Sequence, residues 1–320
     1  MDKGRIMALA LMVGVDVGIY GRLATRDHIL ELAELAESSG VESLWVADHV
    51  IFPRTVASTY PYSATGTFPL DMTTEPLLEP MATTGVLVGA TQRVRIGTAV
   101  LVMPYRNPVL LGRMLVTLDV LSGGRIILGA GVGWLAEEFA ALEARPFPVR
   151  GPVTDEWIAI VKRLCQGGEV TFQGEHYHLG PVVSSPGSVQ RPHPPILIGG
   201  TSHAALRRAA QLGDGWLSTG LGPERLRARL QTLQQLCESH GRRLADLSLS
   251  HKLFLNIGEA RTGADGSRDS GTGSPAEIVD DLRRLRELGY SRVIVRYRGS
   301  DAEAQRRQLR IFLDDILPKM

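Results

Sequence analysis

The stretch Ser274-Pro-Ala-Glu-Ile-Val-Asp-Asp-Leu-Arg-Arg-Leu-Arg-Glu-Leu-Gly-Tyr-Ser-Arg-Val-Ile-Val295 decides the fold. It opens with a capping box: Ser274 as N-cap, Pro275 at the first helical position and Glu277 at the third. The helix it starts runs to Leu288 and stops at Gly289. The short apolar run Arg292-Val-Ile-Val295 follows, as a buried parallel strand should. The same unit occurs upstream. Residues 27–39 form an amphipathic helix with Ile29, Leu32, Ala33 and Ala36 on one face. Gly40 follows, where a left-handed conformation suits glycine, and then the strand Ser43-Leu-Trp-Val46. Residues 204–212 repeat the pattern, with Gly213 and the strand Gly215-Trp-Leu217.

Working outward, further strands are expected at 7–14, 94–102, 125–129, 195–198 and 247–255. Helices are expected at 109–121, 155–165, 224–240 and 301–317. Eight strands alternating with helices predict an α/β fold, a (β/α)8 TIM barrel filling residues 1–320 as one domain. Two stretches break the rhythm. The Gly/Pro-rich segment 168–193 reads as an insertion between strands 4 and 5, with Thr171-Phe-Gln and His176-Tyr-His-Leu179 as a hairpin. Residues 263–273, GADGSRDSGTG, read as a flexible loop after strand 7, either a lid or a tolerated surface loop.

Composition narrows the function. A net charge of +1 gives no global field for nucleic acid. The Arg-rich runs at 225–229, 283–286 and 306–310 fall on helices and read as solvated faces. Cys165 and Cys237 are the only cysteines, far apart and without a CxxC, so they read as small buried hydrophobes in a reducing compartment. Residues 7–14 follow Lys3 and Arg5 as a signal peptide would. The apolar run is short, however, and Asp16 comes directly after it, so a first barrel strand is the expectation and the protein is read as cytoplasmic. No stretch approaches the roughly 20 apolar residues of a membrane span.

In such a barrel the chemistry sits where strands end and helices begin. Strand 2 ends in Trp45-Val-Ala-Asp48-His49, an acid and an imidazole able to bind a substrate or move a proton. Strand 3 ends in small residues around Thr98 and Ala99, which let a flat ligand approach the backbone. Strand 4 carries Gly129-Ala-Gly131-Val-Gly133-Trp134. A dinucleotide fingerprint is rejected there, because its third glycine would fall at Trp134 and no acid stands at Val153 or Thr154. Strand 5 gives Gly199-Gly200-Thr201-Ser202 opening into a helix, a ready phosphate site. His176 and His178, two apart on one strand face, lack a third metal ligand; no metal is expected.

Together these phrases resemble the luciferase-like monooxygenase superfamily over nearly the whole chain. The resemblance rests on Ser43-Leu-Trp-Val-Ala-Asp-His49, Tyr60-Pro-Tyr-Ser63, Glu79-Pro-Met81, Ile96-Gly-Thr-Ala-Val-Leu-Val102 and Arg106-Asn-Pro108. It rests most on Leu118-Asp-Val-Leu-Ser-Gly-Gly-Arg125 leading to Leu128-Gly-Ala-Gly-Val-Gly-Trp134 and Glu137-Glu138-Phe139. The run from Tyr60 and the Gly-Val-Gly-Trp phrase look like the coenzyme F420-dependent branch, whose cofactor is a 5-deazaflavin. The resemblance implies a catalytic His49 beside the reactive centre, preceded by Asp48. It implies a bulge at Ala99-Val100, where several relatives carry a non-proline cis peptide. It implies that Thr98, Ala99, Val100, Gly131, Val132, Gly133, Gly199, Gly200 and Thr201 line the cofactor and its phosphate. An aromatic substrate pocket is expected near Trp134, Tyr60 and Tyr62, unless these rings only pack the long strand-2 loop. Where F420-dependent sugar-phosphate and alcohol dehydrogenases carry a glutamate after the strand-4 glycines, this chain has Trp134.

The expected function is hydride transfer between F420 and a small organic substrate. An FMN-dependent monooxygenase using dioxygen and a non-catalytic cofactor-binding protein are the alternatives. A homodimer is implied by the resemblance; the apolar faces of helices 2 and 3 could equally be barrel packing.

Overall fold

The computed structural model describes residues 11–63, 65–68, 71, 74–262, 267–297, 299 and 301–320. Eight parallel strands close on themselves: β1 Met12–Asp16, β2 Ser43–Val46, β3 Arg95–Thr98, β4 Ile126–Gly131, β5 Ile196–Gly199, β6 Gly215–Thr219, β7 Ser248–Ile257 and β8 Arg292–Tyr297. Each pairs with the next, and β8 pairs with β1 through Met12↔Arg292 to Val15↔Val295. Around them run α1 Arg26–Ser38, α2 Pro80–Ala90, α3 Pro108–Leu121, α4 Arg150–Gln166, α5 His203–Leu212, α6 Pro223–Ser239, α7 Pro275–Glu287 and α8 Ala302–Ile311. This is the (β/α)8 barrel that the repeating unit predicts.

The capping box forms as expected: Glu277 N donates to Ser274 Oγ at 3.4 Å and Ser274 N to Glu277 Oε2 at 2.8 Å. The glycines that end the helices do different work. Gly289 is left-handed at φ +89°. Gly40 is not; α1 ends on an extended Ser39 at φ −113°. Gly213 serves by its size, since a Cβ there would meet Ile198 at 2.8 Å.

Residues 7–10 of the expected first strand lie outside the described residues. The strand itself continues past Gly14 and takes in Asp16, a charge that the sequence reading placed after the strand. Asp16 is tolerated there because Lys252 and Arg296 face it inside the barrel. The expected strand 94–102 is interrupted: after the Ala99–Val100 bulge, Leu101–Val102 resumes pairing with β4. The expected last helix, 301–317, ends as α8 at Ile311 and passes into a π turn, Phe312–Ile316.

Between β4 and α4 stands a short helix, Ala136–Ala141, and between α4 and β5 a hairpin of Gly168–Gln173 with His178–Ser184. The hairpin strand begins at His178. His176 lies in the turn before it with its amide on Glu156, so the two histidines do not share a strand face. Of the loop at 263–273, residues 263–266 lie outside the described residues. The rest is bound down: Gly271 N donates to Asp281 Oδ2 at 2.8 Å, and Thr272–Gly273 pairs with the end of β7.

Inside the barrel Trp45, Ile127, Leu197, Leu217 and Ile294 form a dry plug. Trp45 is the largest of them. Gly14 and Gly97 make room for it, and a Cβ at Gly97 would lie 2.5 Å from its ring. The small residue Gly97 in β3 therefore accommodates an internal indole. Cys165 and Cys237 are free and buried, and burial pushes the Cys165 thiol up to about 12. Among the described residues no helix is long and apolar enough to cross a membrane, and no group of three acidic, His or Cys side chains could hold a metal.

Candidate active site

β2 delivers Asp48 and His49 to the C-terminal mouth of the barrel, and both side chains are buried. His49 Nδ1 lies 2.6 Å from Glu138 Oε2 on the short helix. Glu138 is completely buried and heavily used. Its Oε1 accepts the amides of Val50 at 2.7 Å and Ile51 at 3.1 Å, and its Oε2 accepts the Tyr105 hydroxyl at 2.8 Å. With three acceptor positions filled by donors, the fourth takes His49 Nδ1–H. That fixes the tautomer and leaves Nε2 for the mouth. Burial, together with Glu138, raises the Tyr105 phenol well above its ordinary value, so it stays a donor.

Asp48 is engaged differently. Its Oδ2 accepts Val102 N at 2.7 Å and Arg106 Nη1 at 2.8 Å, and its Oδ1 accepts Arg106 Nη2 at 3.1 Å. Arg106 also reaches Glu79 Oε1 at 2.6 Å. Burial raises the Asp48 carboxyl, and Arg106 opposes that rise. The pair ties the end of β2 to the backbone just past the bulge.

The bulge is the floor. The Ala99–Val100 peptide is cis. Thr98 Oγ1 donates to Gly129 O at 2.8 Å and accepts Gly129 N at 3.0 Å, fastening β3 to β4 below the bulge. Val100 nests between two glycines: a Cβ on Gly131 or on Gly199 would lie 2.5 Å from its methyls. Val100, Val132, Gly133, Gly199, Gly200 and Thr201 are half-buried and form the rim around it. Gly133 holds φ +79°, which turns the chain toward Trp134. Ser202 caps α5 by accepting Ala205 N.

The roof is aromatic. The His49 ring lies 5.4 to 6.0 Å from Phe52, Phe68, Trp134 and Tyr20. Phe68 and Trp134 stack at an interplanar angle of 11°, and Tyr60 meets both edge-on at 5.0 Å. Tyr62 touches only the edge of this group, through Tyr60 at 5.5 Å. Of the expected pocket residues, Trp134 therefore meets His49 directly, Tyr60 joins it through Phe68 and Trp134, and Tyr62 stands outside. Glu137 tethers the roof by accepting Ala57 N at 2.7 Å and Ser58 N at 3.0 Å.

A charged group completes the mouth. Lys252 Nζ is 2.5 Å from Asp16 Oδ2 and 3.4 Å from the Ala99 carbonyl. Arg296 is 3.6 Å from the same Asp16 oxygen. Sequence reasoning missed this group and also Glu138, Tyr105, Phe52 and Phe68. For Lys252 a signal existed, a lone charge inside an apolar strand.

The strand ends thus carry a half-buried rim of backbone and small side chains, and the same mouth holds a buried imidazole anchored through Nδ1 by Glu138. The sequence pattern defining the luciferase-like monooxygenases matches residues 7–265, and the chain belongs to that family, whose members are oxidoreductases and monooxygenases. An uncharacterised protein of Mycobacterium tuberculosis is 31% identical over 91% of this chain and 95% of its own length. An F420-dependent glucose-6-phosphate dehydrogenase of Microbacterium testaceum is 26% identical over 92% of this chain and 93% of its own. An FMNH2-dependent dimethylsulfone monooxygenase of Pseudomonas putida is 28% identical over 51% of this chain and 45% of its own. Among solved structures, an F420-dependent secondary alcohol dehydrogenase superposes with a TM-score of 0.77 at 17% identity, over 97% of this chain and 99% of its own.

Proposed function

We propose that the protein is an F420-dependent oxidoreductase that passes a hydride between the deazaflavin and a small organic substrate. The observation that carries this reading is His49, pinned through Nδ1 by Glu138 and presenting Nε2 under an aromatic roof. Bound F420 supplies a two-electron carrier. Ala99, Val100 and the rim from Gly131 to Gly133 support the face of its ring. Gly199, Gly200 and Thr201, at the start of α5, take its phosphate. Trp134 and Tyr60, with Tyr62 at the edge, exclude water from the substrate. His49 Nε2 holds or moves the proton, and Asp48 acts as a positioning residue through Arg106 and Val102 N. The F420-dependent relative aligned over nearly its whole length supports this cofactor. The shorter alignment with the FMNH2-dependent enzyme supports FMN as the second reading.

We also infer a homodimer built on α2 and α3. Both helices are rich in apolar residues, and Val86, Leu110 and Leu121 stand exposed on them. Two buried free thiols support a reducing cytoplasm.

Titration with F420 and with FMN, followed by tryptophan fluorescence, tests the cofactor. Micromolar F420 binding with FMN at least tenfold weaker, about 1.4 kcal/mol, is expected. Tighter FMN binding would transfer the protein to the oxygen-using reading.

A further inference from the structure

We propose that Arg296 is the anion-binding group of the substrate site, and that the substrate joins a planar apolar body to a carboxylate. The proposal rests on the reading of the His49 mouth as the place where substrate binds.

Arg296 follows three buried residues of β8, Val293, Ile294 and Val295, and its side chain is only 18% exposed. Other sheltered arginines make several hydrogen bonds each. Arg106 is forked onto Asp48, Arg292 onto Glu42, and Arg125 onto backbone carbonyls. Arg296 donates no hydrogen bond to any described residue. Its nearest counter-ion, Asp16 Oδ2 at 3.6 Å, is already held by Lys252 at 2.5 Å, and Asp16 Oδ1 accepts Gly18 N at 2.9 Å. Two cations thus share one carboxylate. Burial alone would raise the Asp16 carboxyl; Lys252 and Arg296 outweigh it and hold it below the ordinary range.

The remaining acids of the mouth have no room for Arg296 either. Asp48 and Glu79 share Arg106, and Glu138 has four donors on two oxygens. A sheltered guanidinium that makes no hydrogen bond among the described residues keeps its donors for water or for an arriving partner. A carboxylate matches its fork.

The surroundings say where the rest of such a ligand lies. The Arg296 guanidinium is 5.3 Å from the centre of the Tyr20 ring. Tyr20 is in turn 6.0 Å from the His49 ring and 6.2 Å from Phe68. Arg296 also acts electrostatically on the Tyr60 phenol. The cation therefore borders the same roof that His49 faces. The parallel Phe68 and Trp134 rings offer flat apolar surface for a planar body.

Benzoate and its neutral analogue benzamide are the probes, each titrated against the protein with and without F420 and followed by tryptophan fluorescence at low salt. Benzoate is expected to bind at least tenfold more tightly than benzamide. Arg296→Gln should erase the preference and Arg296→Lys should keep part of it, with circular dichroism and F420 affinity unchanged in both. Equal binding of the two probes to the native protein overturns the proposal, and so does a preference that survives in Arg296→Gln. Loss of F420 binding in Arg296→Gln also overturns it, by assigning Arg296 to the cofactor. If the native protein binds neither F420 nor FMN, the cofactor reading falls, while the probes on the cofactor-free protein still decide Arg296.

Discussion

Glu138 Oε2 lies 2.6 Å from His49 Nδ1, although 89 positions separate the two residues in the chain. The contact spans β2 and the helix after β4. It makes one carboxylate responsible for the imidazole and for the first two backbone amides beyond it.

Glu138→Gln keeps the shape and removes the charge. Its amide cannot accept from all four donors, so the tautomer of His49 is no longer fixed. Turnover is expected to fall roughly 10- to 100-fold, and stability by about 2 kcal/mol, the order expected for hydrogen bonds to a charged group. Cofactor affinity should be little changed, because the hydrogen bonds of Glu138 go to His49, Val50, Ile51 and Tyr105 and to none of the floor residues. Steady-state kinetics, denaturant unfolding and F420 titration check the three parts.

His49→Ala deletes the proposed proton-handling group itself. Turnover should drop by about 10²- to 10⁴-fold while the cofactor still binds. A variant that turns over at the native rate removes His49 from the chemistry and favours a storage or carrier role.

His251 is buried on the outer face of β7, beside Ser218 at 2.8 Å, and burial pulls its pKa from 6.5 down to about 4. Below pH 6.5 the unfolded chain takes up a proton that the folded chain refuses until about pH 4. Stability present above that window is therefore lost as pH falls through it, by about 3 kcal/mol in all. Urea midpoints measured from pH 7 to 4.5 should fall less steeply in His251→Gln than in the native protein.

Leu121 is 70% exposed at the C-terminal end of α3. Leu121→Asp should convert the inferred dimer to monomer in light scattering at micromolar concentration. A native protein that is already monomeric there would show that α2 and α3 face solvent.

The fold was legible because each β/α unit carries its own local punctuation: a cap, an apolar face, a stop and a strand. His49 and the Ala99–Val100 bulge were legible because they fall at strand ends, where a barrel gathers its chemistry. Glu138 was not, since an acid in the first turn of a short helix is ordinary and its partner lies far away in sequence. Phe52 and Phe68 sit in a loop, where no periodicity marks an inward side chain. Gly40 shows the opposite error: a glycine after a helix was read as left-handed, whereas the chain leaves α1 extended. Asp16 shows how a charge at a strand end can belong to the strand when two cations are waiting across the barrel.

Val100 seated between Gly131 and Gly199 has a meaning for anyone redesigning this scaffold. Three neighbouring strands contribute to one small shape, and enlarging either glycine lifts the keystone that both support. The floor is thus a single inherited part that cannot be edited piecemeal. The roof residues Phe52, Tyr60 and Phe68 come from one loop whose backbone is tied to Glu137 and Glu138 through the amides of Val50, Ile51, Ala57 and Ser58, so new substrates can be sought there by exchanging ring side chains while those ties and the masonry beneath stay untouched.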